Sequence, residues 1–179
     1  MTTFQFHKLN GEGKELIDFY TLNKWEFHAD PVPSKDEITK RYESGWFEDD
    51  KETFWIEEGG EKIGLIIISD ISDTMPLLYD VRLANYFRSK GYGLISVKWA
   101  VDYVFSGLKD KVRLESYTRY DNYAMRKVFH KCHFEKEGYL RKSWENDDGT
   151  VDDAVVYSVI REDWEEGKKT PIKLNDVPF

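Results

Sequence analysis

One cysteine in 179 residues, Cys132, leaves no partner for an internal disulfide, which excludes a disulfide framework. Its apolar helical surroundings make it a small buried hydrophobe. Histidines number only four, and His7, His130 and His133 have no ligand-like spacing to acidic or cysteine partners; no metal is expected. No apolar run approaches the roughly 20 residues of a membrane span. The longest, Leu65 to Ile68, has the length of a buried strand. Met1 to Lys8 shows no basic region followed by an apolar run, so no signal peptide and no membrane partner are expected, and the cytoplasm is the default compartment. Basic residues are outnumbered, 26 Lys and Arg against 34 Asp and Glu, for a net charge of −8. That balance gives no nucleic-acid footprint and mildly favours cationic ligands through steering. With no repeat, linker or low-complexity tract, residues 1–179 read as one domain.

What is present is an ordinary globular composition, 40% hydrophobic and 34% charged, with 16% aromatic residues that include six Trp. Phe4 to Leu9 alternates apolar and polar residues and predicts a strand. Leu16, Ile17, Phe19, Tyr20 and Leu22 form an apolar helical face that Ala29 to Pro33 breaks. Ser34 with Glu37 is a capping box for a second helix to about Ser44. Thr53 to Glu57 and Lys62 to Ser69 make a hairpin across Gly59-Gly60. Leu77 to Leu83 is a further strand, followed by a long helix from about Gly91. Val112 to Tyr117 is a strand, and Asp121 is the expected N-cap of a helix through Cys132. Phe134 to Arg141 and Ala154 to Ile160 are the last strands, joined by the turn Asn146 to Gly149. The tail from Glu165 reads as irregular. The order β-α-α-β-β-β-α-β-α-β-β predicts an α/β (α+β) fold, a mixed, mostly antiparallel sheet flanked by helices.

The most informative segment is Leu77 to Gly93, where a strand ends, a loop turns and a helix opens on two glycines. In Arg88-Ser89-Lys90-Gly91-Tyr92-Gly93 the glycines permit close approach of backbone to ligand. The free N–H groups of the helix start form an anion site, and Arg88 and Lys90 add positive charge. A pyrophosphate needs these features. The loop lacks the Gly-Lys-Ser/Thr ending of a Walker loop and the first glycine of a dinucleotide fingerprint.

Further motifs lie downstream: Asp121-Asn122, Phe134 at a helix end, Glu137-Gly138-Tyr139-Leu140-Arg141, Asp153 before Tyr157, and Arg161-Glu162-Asp163-Trp164. With the Arg-x-x-Gly-x-Gly loop, these resemble the GNAT N-acetyltransferase superfamily over roughly residues 50 to 165. The branch most resembled includes the ribosomal-protein N-terminal acetyltransferases. The sequence departs from that pattern at His133, where a glycine is usual, at Met125, where a small residue is usual, and at Phe129, where many members carry a proton-donating tyrosine.

The resemblance implies the acyl-CoA N-acyltransferase fold and transfer of an acetyl group from acetyl-CoA to a primary amine by direct attack. It places Arg88, Ser89, Lys90, Gly91, Tyr92 and Gly93 on the pyrophosphate, and the backbones of Val81 and Leu83 on the pantetheine arm. The Val81 amide would face the thioester oxygen, and Asn122 would hold the arm from the other side. For the base, Glu115 alternates with apolar neighbours on a strand beside the cofactor, where burial would raise its pKa. Asp80 has a similar claim, and a water relay is the third choice. Trp25 and His28 would border the acceptor pocket, and Asp153 would hold a cationic substrate. The partners implied are acetyl-CoA and a small-molecule amine or peptide N-terminus, with a homodimer left open. The alternative from another class is a domain that senses acetyl-CoA without turnover.

Overall fold

The computed structural model describes residues 3–176. Among them, seven strands form one sheet: β1 (Phe4–Lys8), β2 (Lys51–Glu58), β3 (Glu61–Ser69), β4 (Leu77–Leu83), β5 (Arg113–Arg119), β6 (Glu135–Glu145) and β7 (Val151–Ile160). Five α-helices accompany it: α1 (Gly13–Thr21), α2 (Lys35–Glu43), α3 (Tyr92–Gly107), α4 (Tyr123–Lys131) and α5 (Arg161–Glu166). The strand order is β1-β2-β3-β4-β5-β7-β6. Every neighbouring pair is antiparallel except β4 and β5.

The central strands are covered on both faces, which is why Leu65 to Ile68 is continuously apolar. Ile66 and Ile68 pack with Phe54, Val97, Val101, Val104 and Phe129 on the α3–α4 side. Leu65 and Ile67 pack with Leu16, Phe19, Trp25, Ile38 and Trp55 on the α1–α2 side. Half of the expected α2 capping box forms: Ser34 accepts from the Glu37 N–H at 3.2 Å, while the Glu37 carboxylate accepts from Arg41.

Three local expectations change. The N-cap of α4 is Asn122, which accepts from the Met125 N–H at 3.1 Å. Asp121 cannot serve there because Arg119 holds its carboxylate at 2.6 and 2.9 Å. Strand β6 runs on to Glu145, since a register shift between Leu140 and Trp144 lets the pairing resume. The tail expected to be irregular contains the end of α5. Arg161 anchors that helix by donating to the carbonyls of Phe105, Leu108 and Lys111.

The joint between β4 and β5 positions the site. It has a single registered pair, Leu77 with Glu115. Beyond it the strands diverge, and the C-terminal half of β4 pairs only with β3. A bulge in the β3–β4 ladder leaves Tyr79 without a registered partner. An extra residue switches which amides face which neighbour. Before the bulge, the Pro76 carbonyl accepts from the β5 amide of Glu115 at 3.1 Å. After it, the Ala84 N–H donates to Ile63 of β3 at 2.9 Å. Backbone groups alternate along a strand, so those of Val81 and Leu83 face the opening.

Candidate active site at the diverging strands

A cavity of about 460 Å3 occupies this opening. Its walls include Val81, Arg82 and Leu83 of β4, Arg88, Ser89, Gly91 and Gly93 of the loop, and Asn122 beside α4. At one end stands the N-terminus of α3, with no side-chain cap on its first amides. Ser89 and Gly91 take positive φ, +61° and +85°, turning the loop so that successive N–H groups converge on one side. Leu94, Met125 and Val128 line the middle, where an apolar arm can lie. The loop between α1 and α2 adds Trp25, Glu26, Phe27 and His28, with the Arg88 guanidinium carbon 5.1 Å from the Trp25 ring centroid. The turn after β6 closes on that loop, the Asp147 N–H donating to the Ala29 carbonyl at 3.0 Å.

Of the predicted phosphate-loop residues, Arg88, Ser89, Gly91 and Gly93 reach the cavity. Lys90 and Tyr92 are absent from its walls. The Lys90 ammonium lies 3.8 Å from the Tyr86 ring centroid, and the Tyr92 hydroxyl donates to Glu58 at 2.6 Å. Arg88 is a brace as well as a wall residue, donating to the carbonyls of Leu83 at 2.8 Å and Lys24 at 2.5 Å. Two lysines that sequence reasoning missed, Lys127 and Lys131, face the cavity from α4. Their i,i+4 spacing, one helical face, was the available signal.

A Cβ added at Gly91 meets nothing within 4 Å. Crowding, the reason the motif first suggests, is therefore not what a larger residue there would cause. The constraint is the left-handed backbone, which costs a β-branched residue on the order of 1–3 kcal/mol. Gly91→Val should weaken acetyl-CoA binding about tenfold or more in calorimetry, with the melting temperature lowered by only a few degrees. Equal affinity would remove this loop from the ligand site.

The catalytic candidates separate. Glu115 lies outside the cavity. Arg113 donates to it at 2.5 Å, the Tyr117 hydroxyl binds its other oxygen, and Arg113 also holds Glu137 at 2.6 Å. A partly exposed pair of this kind is worth roughly 0.2–1 kcal/mol. Glu115→Gln should leave CoA release within about fivefold of the parent; a hundredfold loss would restore it as the base. Asp153 is also remote, engaged by the Tyr139 hydroxyl at 2.5 Å and the Lys142 amide at 2.7 Å.

Asp80 is buried just behind the cavity wall. Its Oδ1 lies 3.0 Å from His28 Nε2, and its Oδ2 accepts from Arg82 Nε at 2.6 Å. Burial opposes ionisation, yet Arg82 and His28 outweigh it and hold the carboxyl well below the ordinary carboxylate range. An ionised Asp80 can only accept, so His28 Nε2 carries the hydrogen; in the neutral imidazole the lone pair is then on Nδ1. Nδ1 is buried, with no hydrogen-bond partner among the described residues. Trp25, in the same wall, sets the imidazole edge-on at 6.0 Å.

Phe129 stands where a proton-donating tyrosine is common, and it is sealed in the core against Phe134 and Tyr157. Tyr117, Tyr123 and Cys132 are absent from the cavity walls, and burial pushes the Cys132 thiol up to about 11.

An open strand edge meeting an uncapped helix start defines a protein that takes a ligand with phosphate at one end and an extended arm. The sequence agrees in detail: the model of the acetyltransferase (GNAT) family matches residues 16–134, and the chain belongs to that family. Among solved structures, the fold is similar to spermidine N-acetyltransferase from Vibrio cholerae in complex with CoA and spermine. The TM-score is 0.74 at 17% identity, covering 90% of this chain and 98% of that one. A chimera of the Vibrio cholerae enzyme with hSSAT gives a TM-score of 0.77 at 17% identity, with coverage of 90% and 98%. The dodecameric Vibrio cholerae enzyme in an intermediate state gives 0.72 at 17% identity, with coverage of 90% and 95%. No curated protein matches the sequence significantly.

Proposed function

We propose that this protein transfers the acetyl group of acetyl-CoA to a primary amine by direct attack. The observation that carries the proposal is one cavity whose wall holds both an anion-binding helix start and an imidazole held by a buried carboxylate. The residues fit the co-substrate: amides of the α3 start with Lys127 and Lys131 suit its phosphates, and the open edge at Val81 and Leu83 suits its amide-bearing arm. Acetyl-CoA supplies an activated acetyl thioester. The Val81 N–H faces the opening, placed to stabilise negative charge developing on the acetyl oxygen. His28 Nδ1 accepts the amine proton, and Asp80 fixes the tautomer that makes this possible and stabilises the imidazolium. The leaving thiolate is protonated from solvent, its pKa of about 8.5 making it a tolerable leaving group.

The motifs Asp121-Asn122 and Glu137 to Arg141 support a place in the branch that includes the ribosomal-protein N-terminal acetyltransferases. The test is CoA release from acetyl-CoA against a panel of peptides and small amines, with calorimetry for acetyl-CoA itself. Tight acetyl-CoA binding with release accelerated by an amine is the expected result. Binding without release on any amine would make the protein a sensor.

A further inference from the structure

The carboxylate that holds His28 also holds a second group with an unpartnered buried atom. Arg82 is nine-tenths buried yet belongs to the cavity wall. It lies against the adjoining rings of Tyr20 and Trp25, with its guanidinium carbon 4.6 and 4.8 Å from their centroids. Its Nε donates to Asp80, but Nη1 is buried with no partner. The aromatic rings soften the charge of the guanidinium; they do not satisfy its N–H groups. Asp80 accepts from Nε but not from Nη1, and no other group among the described residues accepts from Nη1. A buried donor left this way is costly unless something else accepts from it.

We infer that the acceptor carries a carboxylate beside its amine, and that Arg82 binds it. The inference rests on the acetyl-transfer reading and narrows it to a substrate class, compact amino acids. A guanidinium edge matches the two oxygens of a carboxylate in geometry and charge. Arg82 follows Val81 directly on β4, about 3.3 Å further along the strand. A carboxylate on Arg82 and an amine at the acetyl carbon are then within the reach of one short molecule. The cavity also has to house the pantetheine arm, which leaves room for a small acceptor only. A polyamine would bring a second cation against Arg82 in a poorly solvated site. A long peptide would bring its N-terminus with no carboxylate nearby. Glu26, in the same wall, supplies the negative charge that an α-ammonium group seeks.

The experiment uses matched ligands. Binding of the common amino acids and of their α-amides is measured by calorimetry with CoA present, and CoA release is then measured on the same ligands and on spermidine. At least one amino acid should bind about a hundredfold tighter than its own amide. Failure of every amino acid to bind, or equal binding of acid and amide, would overturn the inference. Arg82→Lys keeps a cation against Asp80 and loses the planar fork, so the preference should shrink to about tenfold or less. An unchanged preference in a folded Arg82→Lys protein would also overturn it. The two readings fail differently. If amino acids bind preferentially and no amine releases CoA, acetyl transfer falls and the carboxylate site stands. If spermidine reacts while amino acids neither bind nor react, transfer stands and the carboxylate site falls.

Discussion

Replacing His28 with glutamine should lower turnover by about a hundredfold or more while leaving acetyl-CoA affinity nearly intact. Glutamine keeps the bulk and can still donate to Asp80, but it cannot hold a proton taken from an amine. His28 belongs neither to the phosphate loop nor to the start of α3, so the variant separates chemistry from cofactor binding. The pH–rate profile carries the sharper information. An imidazole base works only when neutral, so the rate should fall as acid protonates it, and that limb should be lost or moved in the variant. Unchanged turnover with an unchanged acid limb would assign the proton to water.

Replacing Asp80 with asparagine should damage both the fold and the reaction. The substitution removes the countercharge of Arg82, a cation nine-tenths buried. Breaking a buried pair from one side costs about 3–5 kcal/mol, which in a chain of this size lowers the melting temperature by roughly 10 °C. It also frees His28 to take the other tautomer, so turnover should fall beyond what partial unfolding explains. The pH dependence follows from the sign of the shift. The folded-state pKa of Asp80 lies below its unfolded value. Its stabilisation is therefore complete above about pH 4 and is lost as acid approaches the folded-state value. The parent should melt progressively earlier on acidification below pH 4, and Asp80→Asn should show less of that dependence. Equal melting of parent and variant at neutral pH would show that the pair contributes nothing.

Much of the fold was legible because its signals are local. The Ser34 cap on the Glu37 N–H, the glycine hairpin and the strand–loop–helix passage at Gly91 each follow from neighbours in sequence. The site was less legible because its partners come from distant segments. His28 and Asp80 are 52 residues apart, and no pattern in either segment announces the other. Glu115 looked suitable because it alternates with apolar residues. Alternation separates the two faces of a strand without saying which one meets the cofactor, and Arg113 and Glu137 already occupy its face. Arg82 went unremarked although an Asp-x-Arg run in a strand puts both side chains on one face. The Tyr79 bulge, which turns Val81 and Leu83 toward the opening, leaves no mark that composition or periodicity can detect.

The single rung joining β4 to β5 also has a mechanical consequence. Strands β1 to β4 form one laddered plate and β5 to β7 another, and one registered pair stitches them. Ser116 Oγ donates to the Leu78 carbonyl beside that stitch and one core spans both plates, so the notch beyond it is the part of the seam that has no ladder of its own. A chain-like molecule laid along the open β4 edge supplies rungs that the protein itself omits and clamps the plates together. Amides on the far side of the joint, in β5 and β7, should then exchange with deuterium more slowly, although the molecule touches neither strand's far end. Occupancy of the notch should then be legible as stiffness across the seam.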